Sequence, residues 1–183
     1  MQALTTNEVV ALFKLDERRV RKEVEHGVLG ASSPPRYDLS AVVYLLTLAR
    51  IGFEITTVED RKKLYALIIR GITKLKTPTI ALSAITELNL GQVLNDVTDQ
   101  IDRFVAWKRK LVTSDHILGG EPVFPKTRLA VRHIGGMRLR GASIEEVRED
   151  YPYLNEQDVE LASMYARAYP PMGRPRERQA PGR

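Results

Sequence analysis

Apolar residues recur at steps of three and four over most of the chain, which is the spacing of one face of an α-helix. The pattern predicts a first helix near 7–13, with Thr6 as its N-capping residue. It predicts a second helix within 15–29, where Asp16 suits the N-cap and Gly27 ends the helix. Two short helices joined by a brief turn indicate a helix-turn-helix, a motif whose second helix enters the DNA major groove.

The same periodicity predicts further helices, together with a short strand and a hairpin. Asp38 or Ser40 suits the N-cap of the third helix. A strand is expected at 79–82 and a turn with a hairpin at 115–131. The remaining helices are predicted at 41–51, 56–76, 90–110, 131–140 and 156–169, the last with Asn155 as its N-cap. One more helix is predicted to begin at Ser143, which forms a capping box with Glu146.

The helix at 90–110 carries a continuous apolar stripe that includes the only tryptophan. Such a stripe forms either internal core or the seam of a dimer, and the core interpretation is favoured. Its members are Val93, Leu94, Val97, Ile101, Phe104, Val105 and Trp107.

Four basic side chains mark the first turns of the second helix: Arg18, Arg19, Arg21 and Lys22. At this position of a helix-turn-helix they suit phosphates, and an arginine there suits guanine, which it binds bidentately. The alternative is a solvated charged face, since Glu17, Glu23 and Glu25 dilute the cluster. The motif favours the DNA-binding interpretation.

Composition limits the classes of function. The chain has 183 residues, 43% of them hydrophobic, with a net charge of +5 and a pI near 9.5. This balance is compatible with nucleic acid but does not establish it. The N-terminus lacks a signal-peptide pattern and no apolar run is long enough to span a bilayer, so a cytoplasmic protein without membrane contact is expected.

Enzymatic and metal chemistry find little support in the residues. The absence of cysteine excludes disulfides and thiolate metal sites. The triad residue types at 114–116 (SDH) are adjacent in sequence, whereas a catalytic triad is assembled in space. The three histidines lack ligand spacing. We therefore expect no enzyme, no cofactor and no metal.

Five short segments of the first third form a recognisable set: 6–9 (TNEV), 18–21 (RRVR), 27–29 (GVL), 36–39 (RYDL) and 52–53 (GF). Over residues 5–55 they resemble the DNA-binding head of the MerR and excisionase family. The resemblance implies that Arg36 and Tyr37 belong to a small wing beside the recognition helix. One departure is Lys22, where that family commonly has an aromatic residue.

A second set lies near the C-terminus: 119–123 (GGEPV), 127–131 (TRLAV), 141–147 (GASIEEV) and 151–159 (YPYLNEQDV). Over about 112–170 it resembles the domain-of-unknown-function family 433, found in bacterial antitoxins. That family usually has glycine before the Thr-Arg pair, and this chain has Lys126. Glycine takes a positive φ at low cost and lysine does not.

The two resemblances and the helical pattern together predict a mainly α fold. A winged helix-turn-helix (MerR-like) unit is expected at 1–55, and a helical connecting or dimerisation region at 56–111. A homeodomain-like three-helix unit with a short β-hairpin is expected at 112–170, followed by a flexible Arg/Pro-rich tail at 171–183. The third helix of the C-terminal unit begins with carboxylates, Glu156 and Asp158 among them, which repel phosphate. We therefore interpret this unit as an interaction or dimerisation domain.

A MerR-like head joined to such a C-terminal unit resembles VapB-type antitoxins. The resemblance implies a type II antitoxin that neutralises a PIN-domain ribonuclease toxin and represses its own operon by binding operator DNA. A homodimer is expected, because one head makes few phosphate contacts. The alternative is a stand-alone MerR/excisionase-like transcriptional regulator without a toxin.

Two groups of site residues follow from these interpretations. The candidate DNA-binding residues are Thr6, Arg18, Arg19, Arg21, Lys22, Arg36 and Tyr37. The candidate toxin-binding residues are Arg167, Tyr169, Arg174, Arg176 and Arg178. Guanidinium groups in the tail suit a partner with clustered carboxylates, such as the acidic metal site of PIN-domain nucleases. The tail alternatively solvates the protein or contacts DNA.

Overall fold

The computed structural model describes residues 3–30, 32–51, 57–75, 79–81 and 87–171. The described residues are mainly helical, which confirms the predicted mainly α class. In chain order the elements are β1 (Leu4–Thr5), α1 (Thr6–Phe13), α2 (Glu17–Glu25), β2 (Arg36–Tyr37), α3 (Leu39–Ile51), α4 (Val58–Arg70), β3 (Thr79–Ala81), β4 (Glu87–Asn89), α5 (Leu90–Lys108), α6 (Val131–Leu139), α7 (Ile144–Asp150) and α8 (Glu156–Ala168).

The start of α1 differs by one residue from the expectation. Its N-cap is Thr5, not Thr6: Thr5 Oγ1 accepts from the Glu8 amide at 3.2 Å, and Glu8 Oε2 accepts from the Thr5 amide at 2.9 Å. This reciprocal capping box satisfies amide groups at the open N-terminal end of the helix. At α2 the predicted cap is confirmed, since Asp16 Oδ1 accepts from the Arg19 amide at 3.0 Å.

Two small antiparallel sheets accompany the helices. In the first, β1 pairs with β2, which sets Leu4 opposite Tyr37 and Thr5 opposite Arg36. In the second, β3 pairs with β4. The strand predicted at 79–82 is present over the described residues 79–81, whereas β4 was not predicted.

The apolar stripe on α5 belongs to the core of the chain. Five of its members are buried: Val93, Val97, Ile101, Phe104 and Trp107. The indole N–H of Trp107 donates to Asp158 Oδ1 at 2.9 Å, which fixes α5 against the first turn of α8. The structure therefore supports the core interpretation over the dimer seam.

Two predicted helices end two or more residues earlier than expected. α4 stops at Arg70, and residues Gly71–Leu75 continue as a π-helical turn. α5 stops at Lys108, two residues before the predicted end. The predicted start of α4 at residue 56, the strand residue Leu82, the segment 52–53 and the tail residues 172–183 lie outside the described residues.

The C-terminal helices form where they were predicted. Ser143 caps α7 and Asn155 caps α8, each in a reciprocal capping box. α6 crosses α8 very closely at Gly135, where an added Cβ would lie 2.3 Å from the Ala162 carbonyl oxygen. α8 also packs along α1, so the C-terminal unit contacts the first helix directly.

The hairpin expected near 115–131 is reduced to two antiparallel bridges. Val123 pairs with Val112 on one side and with Ala130 on the other. Lys126 lies in the loop between them and takes φ 61°, the left-handed conformation for which glycine is suited.

One cluster of buried side chains contains members of each of the eight α-helices found in the described residues. It reaches from Leu4 in β1 to Tyr165 in α8. The predicted division into units at residues 55 and 111 stays a prediction. No described helix combines the length and the apolar character needed to cross a membrane.

Candidate nucleic-acid interface

The helix α2 has one buried and one exposed face. Val20 and Glu23 are buried, and Val24 is half-buried against the core. The four predicted basic residues are all exposed: Arg18, Arg19, Arg21 and Lys22. The helical spacing that places Val20 inward therefore directs these side chains outward.

The basic side chains on this face of α2 differ in whether they form an ion pair within the protein. Arg21 donates from Nε and Nη2 to Glu17 Oε1 at 2.8 and 2.6 Å. Both side chains are largely exposed, so an ion pair of this kind contributes little to stability and can exchange for a phosphate. Neither Arg18 nor Lys22 forms an ion pair with another described residue. α2 thus keeps cationic groups available for an external anion.

A cleft of about 410 Å³ lies beside α2 and brings three predicted DNA-binding residues together: Thr6, Arg21 and Tyr37. Its other walls come from Asn7, Val24, Glu25 and the Pro34-Pro35 turn. Asn7 was not among the predicted DNA-binding residues, although it lies directly after Thr6 in α1. The cleft joins α1, α2 and the approach to β2 into one surface, which we call the head cleft.

Tyr37 is buried beneath the head cleft and contacts Thr6. The residue is 1% exposed, and its hydroxyl lies 3.3 Å from Thr6 Oγ1. Tyr37 therefore positions Thr6 and contributes little surface of its own. Its neighbour Arg36 is exposed on β2, opposite Thr5.

Glu23 was expected to dilute the positive charge of the exposed face, and that expectation is wrong. Glu23 is 3% exposed, and its Oε2 accepts from the Tyr44 hydroxyl at 2.6 Å. Arg61 Nε lies 3.6 Å from Glu23 Oε1, and Arg61 Nη2 donates to His26 Nδ1 at 2.9 Å. This cluster, which we call the support of α2, links α2 to α3 and α4. It fixes the position of α2 and therefore of its exposed face.

Burial is the main cause that raises the pKa of Tyr44, and the hydrogen bond to Glu23 raises it further. The phenol therefore stays protonated and remains a donor to the carboxylate. Glu23 lies three residues after Val20, on the inward face, which was the available signal for its burial.

The predicted toxin-binding residues fall in different places. Arg167 is exposed on α8 beside a cleft that Lys14 and Arg138 also line. Tyr169 is half-buried, and its hydroxyl donates to Glu8 Oε1 in α1. Arg174, Arg176 and Arg178 lie outside the described residues.

Glu8 and Tyr169 form a second polar cluster at the junction of α1, α5 and α8. Lys108 Nζ donates to the Tyr169 hydroxyl at 2.8 Å and lies 3.6 Å from Glu8 Oε1. Burial alone would raise the pKa of Glu8, but hydrogen bonds from Thr5 and Tyr169 and the charge of Lys108 lower it below its ordinary value. Glu8 is therefore held as a carboxylate at neutral pH.

The described part of the chain contains no group of three or more His, Cys, Asp or Glu side chains arranged to hold a metal ion. The polar side chains that the fold brings together at the head cleft carry hydroxyl, amide and guanidinium groups, together with the carboxylate of Glu25. Hydroxyl, amide and guanidinium groups bind phosphates and base edges, whereas a carboxylate repels phosphate.

Comparison with known proteins identifies the C-terminal segment. Residues 111–166 match the family described as "Protein of unknown function (DUF433)", which confirms the predicted resemblance for this segment. The chain is also similar to Uncharacterized protein y4eO of Sinorhizobium fredii (strain NBRC 101917 / NGR234), with 33% identity over 89 residues. That similarity covers 49% of this chain and 40% of the relative, so the chain spans under half of the relative's length. No solved structure matches the chain.

Proposed function

We propose that this protein is the antitoxin of a type II toxin–antitoxin pair. In this proposal it binds a PIN-domain ribonuclease toxin directly and represses its own operon by binding operator DNA. The observation that carries the proposal is the exposed basic face of α2, mounted on a buried polar support, in a chain that also contains a DUF433 segment. The resemblance to VapB-type antitoxins supplies the class of partner.

The DNA-binding half of the proposal rests on the head cleft. α2 follows α1 after three residues and presents Arg18, Arg19 and Lys22 outward, as the recognition helix of a winged helix-turn-helix does. β2 lies beside α1 and would act as the wing, with Arg36 toward the DNA backbone. Arg21 at the cleft would exchange Glu17 for a phosphate or a guanine.

The C-terminal unit is poorly suited to act as a second DNA-binding element. Its third helix, α8, packs against α1 and α6, and Asp158 in its first turn accepts from Trp107. Glu156 and Glu160 on the same helix are exposed carboxylates, which repel phosphate. A single groove element per chain supports a homodimer on two half-sites.

The toxin-binding half rests on the end of α8 and on the sequence beyond it. Arg167 is exposed there, and the chain continues into an arginine-rich segment that contains Arg174, Arg176 and Arg178. A planar guanidinium binds carboxylates bidentately, which suits the acidic metal site of a PIN-domain nuclease. In this proposal one of the three arginines enters that site and blocks it.

Co-expression with the product of the reading frame beside this gene, if that frame encodes a PIN-domain protein, tests the toxin-binding half. We expect the two proteins to elute together and ribonuclease activity to be suppressed in the complex. A chain ending at Tyr169 should lose suppression, and a variant with lysine at 174, 176 and 178 should lose part of it while keeping the charge. Separate elution of the two full-length proteins would reject the antitoxin proposal, and full suppression by the truncated chain would reject the blocking arginine.

The second candidate is a stand-alone transcriptional regulator. The observation that favours it is that the candidate DNA-contacting residues all lie in α1, α2 and β2, so DNA binding needs no partner protein. Operator binding without any co-purifying ribonuclease supports this alternative.

A further inference from the structure

A second cleft, of about 450 Å³, is lined in part by β1 and the start of α1. We call it the junction cleft. It is lined by Arg36 from β2, by Lys108 and Arg109 at the end of α5, and by Asp102, Glu8 and Tyr169. Thr5 lines both clefts, so the two adjoin at the start of α1.

The charges of the junction cleft are not balanced internally. Glu8 is occupied by Tyr169 and Lys108, which leaves Arg36 and Arg109 with Asp102. Both arginines are exposed, and neither forms an ion pair with another described residue. Lys110, the next residue but one after α5, is exposed as well.

We infer that the end of α5 is a phosphate-binding element that extends the DNA interface beyond the head, with Arg109 and Arg36 contacting the DNA backbone that flanks the groove read by α2. The inference rests on the proposed DNA binding and adds a contact from the middle of the chain. Arginine supplies the planar donor fork that phosphate oxygens accept. Because these contacts go to the backbone, they add affinity without reading sequence.

The position of Arg109 has a purely structural alternative. Basic residues after the last turn of a helix complement the partial negative charge at its C-terminus, and Arg109 is the C-cap of α5. In that case its removal would lower thermal stability and leave DNA binding untouched. The dependence of DNA binding on salt separates the two roles. When a phosphate contact is lost, binding releases fewer counterions from the DNA, and the affinity becomes less dependent on salt.

The experiment uses the full chain and fluorescence anisotropy with two labelled duplexes, one from the region upstream of its own gene and one of scrambled sequence. Arg109→Ala and Arg36→Ala are compared with Arg103→Ala, a control on α5 that faces Arg148 and Glu156 instead. For wild type, the ratio of Kd at 200 mM to Kd at 50 mM salt is measured first. Each cleft variant should lower that ratio by about 3.5-fold, the effect of one phosphate contact.

We expect the loss to be equal on both duplexes and absent in Arg103→Ala, and Arg109→Lys should retain the salt dependence. Arg109→Gln provides a second neutral variant if Arg109→Ala unfolds, and circular dichroism reports folding for each. An unchanged ratio in folded Arg109→Ala or Arg109→Gln, together with weakened binding in Arg18→Ala, would overturn the inference and leave the proposed function standing. Wild-type protein that binds neither duplex would overturn both the inference and the DNA-binding half of the proposed function.

Discussion

The hydroxyl of Tyr169 donates a hydrogen bond to the carboxylate of Glu8, across 161 positions of the sequence. Glu8 also completes the capping box of α1 by accepting from the Thr5 amide. The C-cap residue of α8 is therefore bonded to the side chain that helps to cap α1. Lys108 donates to the same hydroxyl, which brings α5 into the junction.

Removal of this hydroxyl should weaken the junction. Tyr169→Phe is expected to lower the free energy of unfolding by about 1–3 kcal/mol, because the buried carboxylate of Glu8 loses a donor. Urea denaturation measures the change. Tyr153→Phe is the matched control, since Tyr153 is among the most exposed large side chains and should change stability by less than about 0.5 kcal/mol. Equal effects of the two substitutions would show that the Tyr169 hydrogen bond adds nothing.

The stability of the protein should depend on the ionisation of Glu8. Its pKa is lowered in the folded state from 4.5, so its contribution is fully present above that value and is lost as the pH falls through the folded pKa. Unfolding free energies measured from about pH 6 to about pH 3 should therefore fall less steeply in Glu8→Gln than in wild type. Parallel curves for the two proteins would contradict the assigned role of Glu8.

The support beneath α2 should be sensitive to the buried carboxylate. Glu23→Gln is expected to cost about 3 kcal/mol or more, because the substitution leaves Arg61 without its buried partner. Glu25→Gln, two residues away and exposed, should stay within about 0.5 kcal/mol of wild type. Thermal and urea denaturation of both variants provide the comparison. A Glu23→Gln protein as stable as Glu25→Gln would contradict the stabilising role of the cluster around Glu23.

Neighbouring glycines of α6 should respond in opposite directions to alanine. In Gly135→Ala the new Cβ would overlap the Ala162 carbonyl oxygen and the Ala166 side chain, so we expect a loss of about 1–3 kcal/mol or more. In Gly136→Ala the nearest atoms belong to the flexible end of Arg140, and the substitution should be neutral or stabilise the helix by up to about 1 kcal/mol. Equal stabilities would contradict the close crossing of α6 and α8.

Local signals in the sequence predicted much of this fold. Helical spacing placed Val93, Val97 and Trp107 in the core, and capping residues located the starts of α2, α7 and α8. The start of α1 was missed by one residue although Thr5 and Glu8 have the spacing of a capping box. The competing Thr6 is an equally good capping residue by type.

Contacts between distant residues could not be predicted from one sequence. Glu23 has the periodicity of a core position, but its partner Tyr44 is 21 positions away on another helix. Tyr169 stays a predicted toxin-binding residue, and the hydrogen bond from its hydroxyl to Glu8 in α1 joins residues too far apart in sequence to be predicted. The left-handed Lys126 was flagged by a departure from a family pattern, and only the backbone shows that lysine takes the glycine conformation.

Binding to DNA from the region upstream of its own gene tests most directly whether α2 is a recognition helix. We predict that the wild-type protein binds that duplex more tightly than a scrambled one. Arg18→Ala and Arg21→Ala should each weaken binding and lower its salt dependence, and the arginine that reads a guanine should lose about 1–3 kcal/mol of binding free energy. Arg140→Ala, exposed at the end of α6, should bind as wild type does. Binding that is unchanged in both α2 variants, or equal for the two duplexes, would contradict the assignment.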